Sequence, residues 1–222
     1  LAQLGAIKQL GIDSSKSTIP IEAILSGGPP PQGIPALGFS GDHTGAVSES
    51  PTPNFISQQD ASWLAEEEPV IVMSLNNESR IYPLQILTWH EIINDTLGGV
   101  PIAVTFCPLC NSALAFDRRV PLSTVGLEAL KSVNSDAATT TLTDDFLAAY
   151  QKQEGFDVEI ADGVEVTFGV SGMLYNSNML MFDSSSSTLW SQLVGEAVVG
   201  SLTHTQLLRY PAPIVSFAEA KD

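Results

Sequence analysis

Val100-Pro-Ile-Ala-Val-Thr-Phe-Cys-Pro-Leu-Cys-Asn-Ser-Ala-Leu-Ala-Phe-Asp-Arg118 is the stretch on which the reading of this chain turns. Its first seven residues are almost all apolar or β-branched, which predicts a strand over 100–106. Cys107-Pro-Leu-Cys110 follows at once, so both sulfurs sit at one turn, within reach of each other or of a single metal ion. Seven residues are too few for periodicity to decide what 112–118 does next. As a return strand, it makes Cys107 to Asn111 a knuckle-like hairpin. As a helix, it makes the pair a thioredoxin-like motif at a helix start, where the dipole lowers a thiol pKa.

These are the only two cysteines in 222 residues. A disulfide closing so short a loop stabilises a fold by only about 2 kcal/mol. Stapling is therefore a poor account of the pair, and a buried inert pair is the plain alternative to redox or metal use. Redox compartment stays open, because a close pair can be oxidised outside the cytosol or held reduced by a metal anywhere.

Upstream, Pro83 can open a helix, and Ile86, Trp89, His90, Ile93 and Leu97 recur at three- and four-residue intervals before Gly98-Gly99. That pattern predicts one helix ending at the glycines, with His90 on its core side. Val70 to Leu75 and Arg80 to Tyr82 read as a hairpin around Asn76-Asn-Glu-Ser79. Residues 26–54, rich in Gly and Pro, read as an ordered wrapping loop anchored by Ile34, Leu37 and Phe39, with Phe55 just beyond. Residues 1–18 form an N-terminal extension, an amphipathic piece carrying Leu1, Leu4, Ile7 and Leu10.

Downstream, 120–162 reads as an insertion with helices over Val125 to Val133 and from Thr143 through Tyr150. Val164 to Val170 alternates as a strand and Ser171-Gly172 turns. Met173 to Tyr175 and Met179 to Phe182 follow as strands around Asn176-Ser-Asn178, and Asp183 to Thr188 is a polar turn before Leu189-Trp190. The expected fold class is α+β, mostly antiparallel β in the second half, with a helix before the Cys-x-x-Cys turn and a helical insertion. Residues 19–222 are expected to form a single domain.

The 25 acidic and 9 basic residues leave a formal charge of −16, which opposes binding to nucleic acid or an anionic membrane surface. No run of eighteen apolar residues could span a membrane. Acidity through scarcity of Lys and Arg suits an extracytoplasmic protein, secreted, periplasmic or in an organelle lumen. The start at Leu1, without Met or an apolar signal core, is expected of a chain whose targeting peptide is absent.

The chemistry on offer is Cys107 and Cys110 as reactive thiols or as metal ligands, with His90 as a third ligand and Met181 as a fourth. Two thiolates, an imidazole and a thioether favour copper or zinc over hard ions. Against this, His90 reads as a core histidine bonded to backbone or Asp95, and Met173, Met179 and Met181 as packing residues. Trp89 and Trp190 read as core aromatics, Ser171, Asn176 and Asn178 as turn formers, and Asp117 with Arg118 as an ion pair. Glu91 and Asp95 are candidates to orient His90, and Arg118 and Arg119 are the basic residues nearest the thiols. His43 and His204 read as surface residues.

Three functions follow: soft-metal binding, thiol exchange with a partner's disulfide, or a non-enzymatic accessory subunit docking on a larger, possibly membrane-embedded, assembly through the proline-rich loop and insertion. A protein partner suits the last two; the small-molecule substrate is unknown. No phosphate loop, dinucleotide fingerprint, Gly-x-Ser-x-Gly elbow or paired-histidine protease helix is present.

Trp89-His-Glu-Ile-Ile-Asn-Asp95, Cys107-Pro-Leu-Cys-Asn111 with Phe116-Asp117, and Phe168-Gly-Val-Ser-Gly-Met-Leu-Tyr-Asn-Ser-Asn178 through Leu189-Trp-Ser-Gln192 occur in that order. From Ile19 onward the chain closely resembles the bacterial, archaeal and algal proteins grouped as domain of unknown function 3179. Some members are described as selenoproteins, which implies redox use of the thiol turn. The resemblance implies no reaction or substrate. Relative to that group the insertion is long, and members usually run past Asp222, which implies a C-terminally incomplete domain.

Overall fold

The computed structural model describes residues 2–42, 44–120 and 164–221. Among these, β structure dominates and all strand pairing in the sheets is antiparallel, so the α+β, mostly β reading holds. A five-stranded sheet runs β1 (Leu25–Ser26), β9 (Phe168–Tyr175), β10 (Asn178–Asp183), β11 (Leu189–Ser191) and β12 (Ala197–Val199). A four-stranded sheet runs β13 (Arg209–Tyr210), β6 (Ser112–Asp117), β5 (Val100–Cys107) and β4 (Ile92–Leu97). A third sheet orders β14 (Ile214–Ser216), β2 (Pro69–Leu75) and β3 (Glu78–Pro83), and β7 (Arg119–Val120) pairs with β8 (Val164–Glu165). The α-helices described are α1 (Ala2–Gln9), α2 (Leu84–His90) and α3 (Phe217–Ala220), with short 3-10 turns at Ile21–Ala23 and Gln58–Asp60. The two helices expected within 120–162 lie outside the described residues.

The continuous apolar run of β5 has a simple cause. Pro101 to Cys107 are all buried, because the four-stranded sheet is covered on both faces. Ile92, Ala103, Cys107 and Phe116 pack into one core with Phe168, Leu180, Phe182 and Trp190 of the five-stranded sheet. Ile93, Ile102, Val104, Phe106 and Ala115 pack into a second with Ile71, Tyr82 and Leu87 from the β2–β3–α2 side. Successive residues of one strand thus serve two cores, and alternation disappears.

Two predicted elements are corrected. The helix opened at Pro83 ends at His90; Ile92–Leu97 is instead a strand paired along its length with β5, from Ile92 opposite Thr105 to Leu97 opposite Val100. The β-branched Ile92-Ile93 pair and a full ladder outweigh a loose helical periodicity, and Gly98-Gly99, both at positive φ, make the hairpin turn. Buried Leu84 and Leu87 set the inner face of α2, so Trp89, two residues after Leu87, falls on the other side and is 77% exposed. Trp89 is no core aromatic.

Ser171-Gly172 does not end a strand either. β9 continues through it as a bulge, the register jumping from Leu180 opposite Met173 to Met181 opposite Val170. Gly172 is required there: its φ is +72°, and a Cβ would lie 2.0 Å from the Pro29 carbonyl oxygen. The segment that supplies Pro29 is tied to the sheets through Gly27 N–H to Gly172 O, Gln32 N–H to Val170 O and Leu37 N–H to Ile92 O. The β2–β3 hairpin turns on Asn76-Asn77, and the β9–β10 hairpin on Asn176-Ser177, each pair at positive φ. α1 joins the first core through Ile7, with Leu10 and Ile12 beyond it.

Asn94 locks loop and sheets together. Its Nδ2 donates to Leu37 O (3.0 Å) and Phe168 O (2.9 Å), and its Oδ1 accepts from Phe168 N–H (2.7 Å). Asn94→Ala takes this partner from the buried Phe168 N–H and carbonyl, while the Leu37 carbonyl keeps the Asn94 backbone N–H at 2.9 Å, and we expect a loss of roughly 2–4 kcal/mol, read as a lower urea midpoint at unchanged m-value.

Candidate functional site

Residues 112–117 form the return strand, so the thiol turn is a hairpin and no helix dipole acts on it. Cys107 closes β5 opposite Ser112. Cys110 N–H donates to Cys107 O at 3.3 Å, and Asn111 takes a left-handed φ of 49° to re-enter the sheet. Pro108 is suited to the first central position of such a turn. Both cysteines are free thiols; Cys107 is buried and Cys110 exposed.

An amide network fixes the environment of the Cys110 sulfur. Asn178 Nδ2 donates to Cys110 Sγ (3.1 Å) and to Gln192 Oε1 (2.7 Å), while Asn178 Oδ1 accepts from Leu193 N–H (2.9 Å). The Leu193 N–H can only donate, so the Asn178 amide cannot flip, and an N–H is held against the sulfur. Gln192 is held in turn, its Nε2 donating to Thr105 Oγ1 (3.1 Å) and Ser112 O (3.2 Å). Ser112 Oγ lies 3.0 Å from both Cys110 Sγ and Gln192 Oε1. Its single proton can turn from the amide to the sulfur when the sulfur is charged.

The two thiols are thereby made unequal. Burial pushes the Cys107 thiol up to about 11, and its hydrogen bond with Cys110 adds to this. Burial also opposes the Cys110 thiolate, but hydrogen bonds from Cys107, Ser112 and Asn178 outweigh it and bring that thiol below its ordinary value. The result is one exposed sulfur biased toward thiolate and one buried sulfur held as thiol.

A family model described as "Protein of unknown function (DUF3179)" matches residues 31–222. The chain belongs to the DUF3179 family. No curated protein and no solved structure matches this DUF3179 chain significantly.

Of the residues expected at the site, Cys107 and Cys110 come together. His90 does not join them in a ligand cluster: among the described residues no group of three or more His, Cys, Asp or Glu could hold a metal ion. The His90 ring bonds Pro35 O through Nδ1 at 2.7 Å. Asp95 does not orient it, being occupied by Tyr82 (2.7 Å), Arg80 and the Thr96 N–H. Met173, Met179 and Met181 are buried in the first core. Trp190 is buried too, with its indole N–H on Asp183 at 2.9 Å.

Asp117 pairs with Arg119 rather than Arg118, whose guanidinium meets Glu165 at 3.0 Å and the carbonyls of Ile102, Val166 and Asp95. Both arginines adjoin Asp117, which pairs with Ile102, the opposite end of the β5–β6 hairpin from the Cys107–Ser112 pair. They supply no positive charge to the thiols.

Asn178, read as a turn former, and Gln192 and Ser112, read as no part of a site, are the functional groups that sequence reasoning missed. A signal existed for Asn178: it is the polar head of the apolar run Met179 to Phe182, where a buried amide must find partners. Nothing local marks Gln192, whose partners Ser112 and Thr105 lie 80 and 87 residues away and whose partner Asn178 lies 14 away across a strand pair.

At the same sheet end, Glu91 has a φ of 58° at the junction of α2 and β4, and its carbonyl accepts from Phe106 N–H at 2.8 Å. Burial raises its carboxyl to about 7 from 4.5. A raised folded-state value means that this group's stabilising contribution is full below about pH 4.5 and is lost as pH rises through about 7. Glu91→Gln should therefore stabilise the protein more at pH 8 than at pH 5, relative to the parent chain, in paired urea melts. Asn178→Ala should slow iodoacetamide alkylation of Cys110 at pH 7 by roughly tenfold, the worth of one hydrogen bond to a charged group, followed by intact mass.

Proposed function

We propose that this protein is a thiol–disulfide exchange protein, with Cys110 the attacking thiolate and Cys107 the resolving thiol. The observation that carries the reading is the inequality of the pair: an exposed sulfur given side-chain donors by Asn178 and Ser112, beside a buried one whose backbone donors, Met179 and Cys110, are outweighed by burial. Cys110 Sγ attacks one sulfur of a partner's disulfide, forming a mixed disulfide and releasing the partner's other sulfur as a thiolate that takes up a proton. Cys107 then loses its proton and attacks Cys110 Sγ, expelling the partner's second thiol. Two electrons pass to the partner and a Cys107–Cys110 disulfide remains. The four-residue turn permits that bond, since its ends lie within the Cα separation that disulfides span.

Exposed Leu109, Leu193 and Val194 flank the site in sequence. They offer apolar contact to a protein partner, and the extracytoplasmic setting expected from the acidity is one where protein disulfides are available. Copper or zinc binding would need ligands beyond the two cysteines, and no described residue of His, Asp or Glu type completes such a set.

Incubation with oxidised glutathione tests the cycle. Cys107→Ser should accumulate the mixed disulfide on Cys110, whereas Cys110→Ser should form none and the parent chain should end as the internal disulfide. A mixed disulfide forming equally well on Cys107 in the Cys110→Ser variant overturns the assignment.

A further inference from the structure

On the opposite side of the four-stranded sheet from Cys107, a cavity of about 490 Å³ opens between the segment 53–64 and the β3–α2 unit. That is the size of a small-molecule site. Phe55, Ile56, Trp63, Tyr82, Ile93 and Phe217 line it. Three of these expose large apolar surface, Phe55 at 39%, Ile56 at 53% and Trp63 at 50%, all on a segment with no strand or long helix of its own. Apolar groups gathered around one concavity, rather than scattered singly, are the pattern of a binding surface.

The polar groups of the wall restrict what could enter. Arg80 is the cation present among the lining residues described, and its guanidinium is already paired with both Glu78 and Asp95 beneath the Phe55 ring. It has no free charge for an anionic ligand, and the chain as a whole carries −16. Tyr82 O–H is spent on Asp95, Ser79 Oγ on Ser74, and Ser57 Oγ on Asp60. His90 is different. Its Nδ1 meets the Pro35 carbonyl, which can only accept, so Nδ1 carries the proton and Nε2 of the neutral ring is left as a bare acceptor.

We propose that this cavity binds a small uncharged molecule made of an aromatic body and one hydroxyl, the ring lying against Phe55 and Trp63 and the hydroxyl donating to His90 Nε2. The site is independent of the thiol turn, and its occupancy requires no cysteine chemistry. Aromatic walls favour a flat ring by offset or edge contact, and the acceptor fixed at His90 Nε2 selects an O–H over an ether or a carboxylate of the same size.

2-Naphthol and 2-methoxynaphthalene, which differ in the O–H donor, are the probes, titrated calorimetrically into the full chain. 2-Naphthol should bind saturably and about tenfold more tightly than the ether. His90→Leu should remove that tenfold advantage while leaving 2-methoxynaphthalene within about twofold of its parent affinity, which also shows that the variant's cavity is intact. Trp63→Ala, at an exposed position, should weaken both probes alike. Equal affinity of the two probes for the parent chain, unchanged 2-naphthol binding to His90→Leu, or no saturable binding of either overturns the proposal. Loss of both probes in His90→Leu, with Trp63→Ala without effect, overturns it as well.

Discussion

The four-stranded sheet buried on both faces is the constraint on which the rest of the molecule depends. A strand such as β5, with no solvent face, needs two cores, and everything else in the described structure exists to complete them. The five-stranded sheet closes one side, and the β2–β3–α2 unit closes the other. Asn94 is the polar lock of the first junction, holding Leu37 of the wrapping loop and Phe168 of β9 at once. Because it satisfies backbone groups of a loop and of a strand from a second sheet, the loop behaves as part of the core despite its Gly and Pro content.

The thiol turn inherits its properties from that arrangement. Cys107 is the last residue of β5 on the face that meets the five-stranded sheet, so it is buried by the same packing that buries Ala103 and Phe116. Three residues later the turn has lifted Cys110 to the surface. The two sulfurs differ because the sheet edge lies between them. Asn178 and Gln192 arrive from β10 and the residue after β11, and their amides are pinned on every side, so the donor facing Cys110 is set before any charge forms on the sulfur. Preorganised donors of this kind act on a thiolate without reorganising when it forms.

The opposite face carries a different kind of surface. Segment 53–64 passes over the second core without entering it fully, leaving aromatic side chains half in solvent above a wall of β3 and α2. His90, which the sequence pairs with the cysteines, belongs to this face. The register explains why: β4 runs beside β5, so His90 comes to the same end of the sheet as Cys107, yet its ring turns to Pro35 and the cavity.

The chain by itself determined the local elements whose cause is local. The apolar run before Cys107, the Asn-Asn and Asn-Ser hairpin turns and the family membership were all legible, because turn chemistry and burial leave marks in consecutive residues. Only tertiary structure decided the rest. Ile92–Leu97 became a strand because a partner strand was waiting, against a periodicity that fits a helix; Trp89 became exposed once that helix stopped; and 112–117 became a return strand because β13 and β5 pair with it. The separation of His90 from the thiols, and the arrival of Asn178 and Gln192 beside Cys110, depend on contacts between residues tens of positions apart. No window of sequence contains such contacts, and the hydrogen bonds that tune the site have no periodicity to betray them.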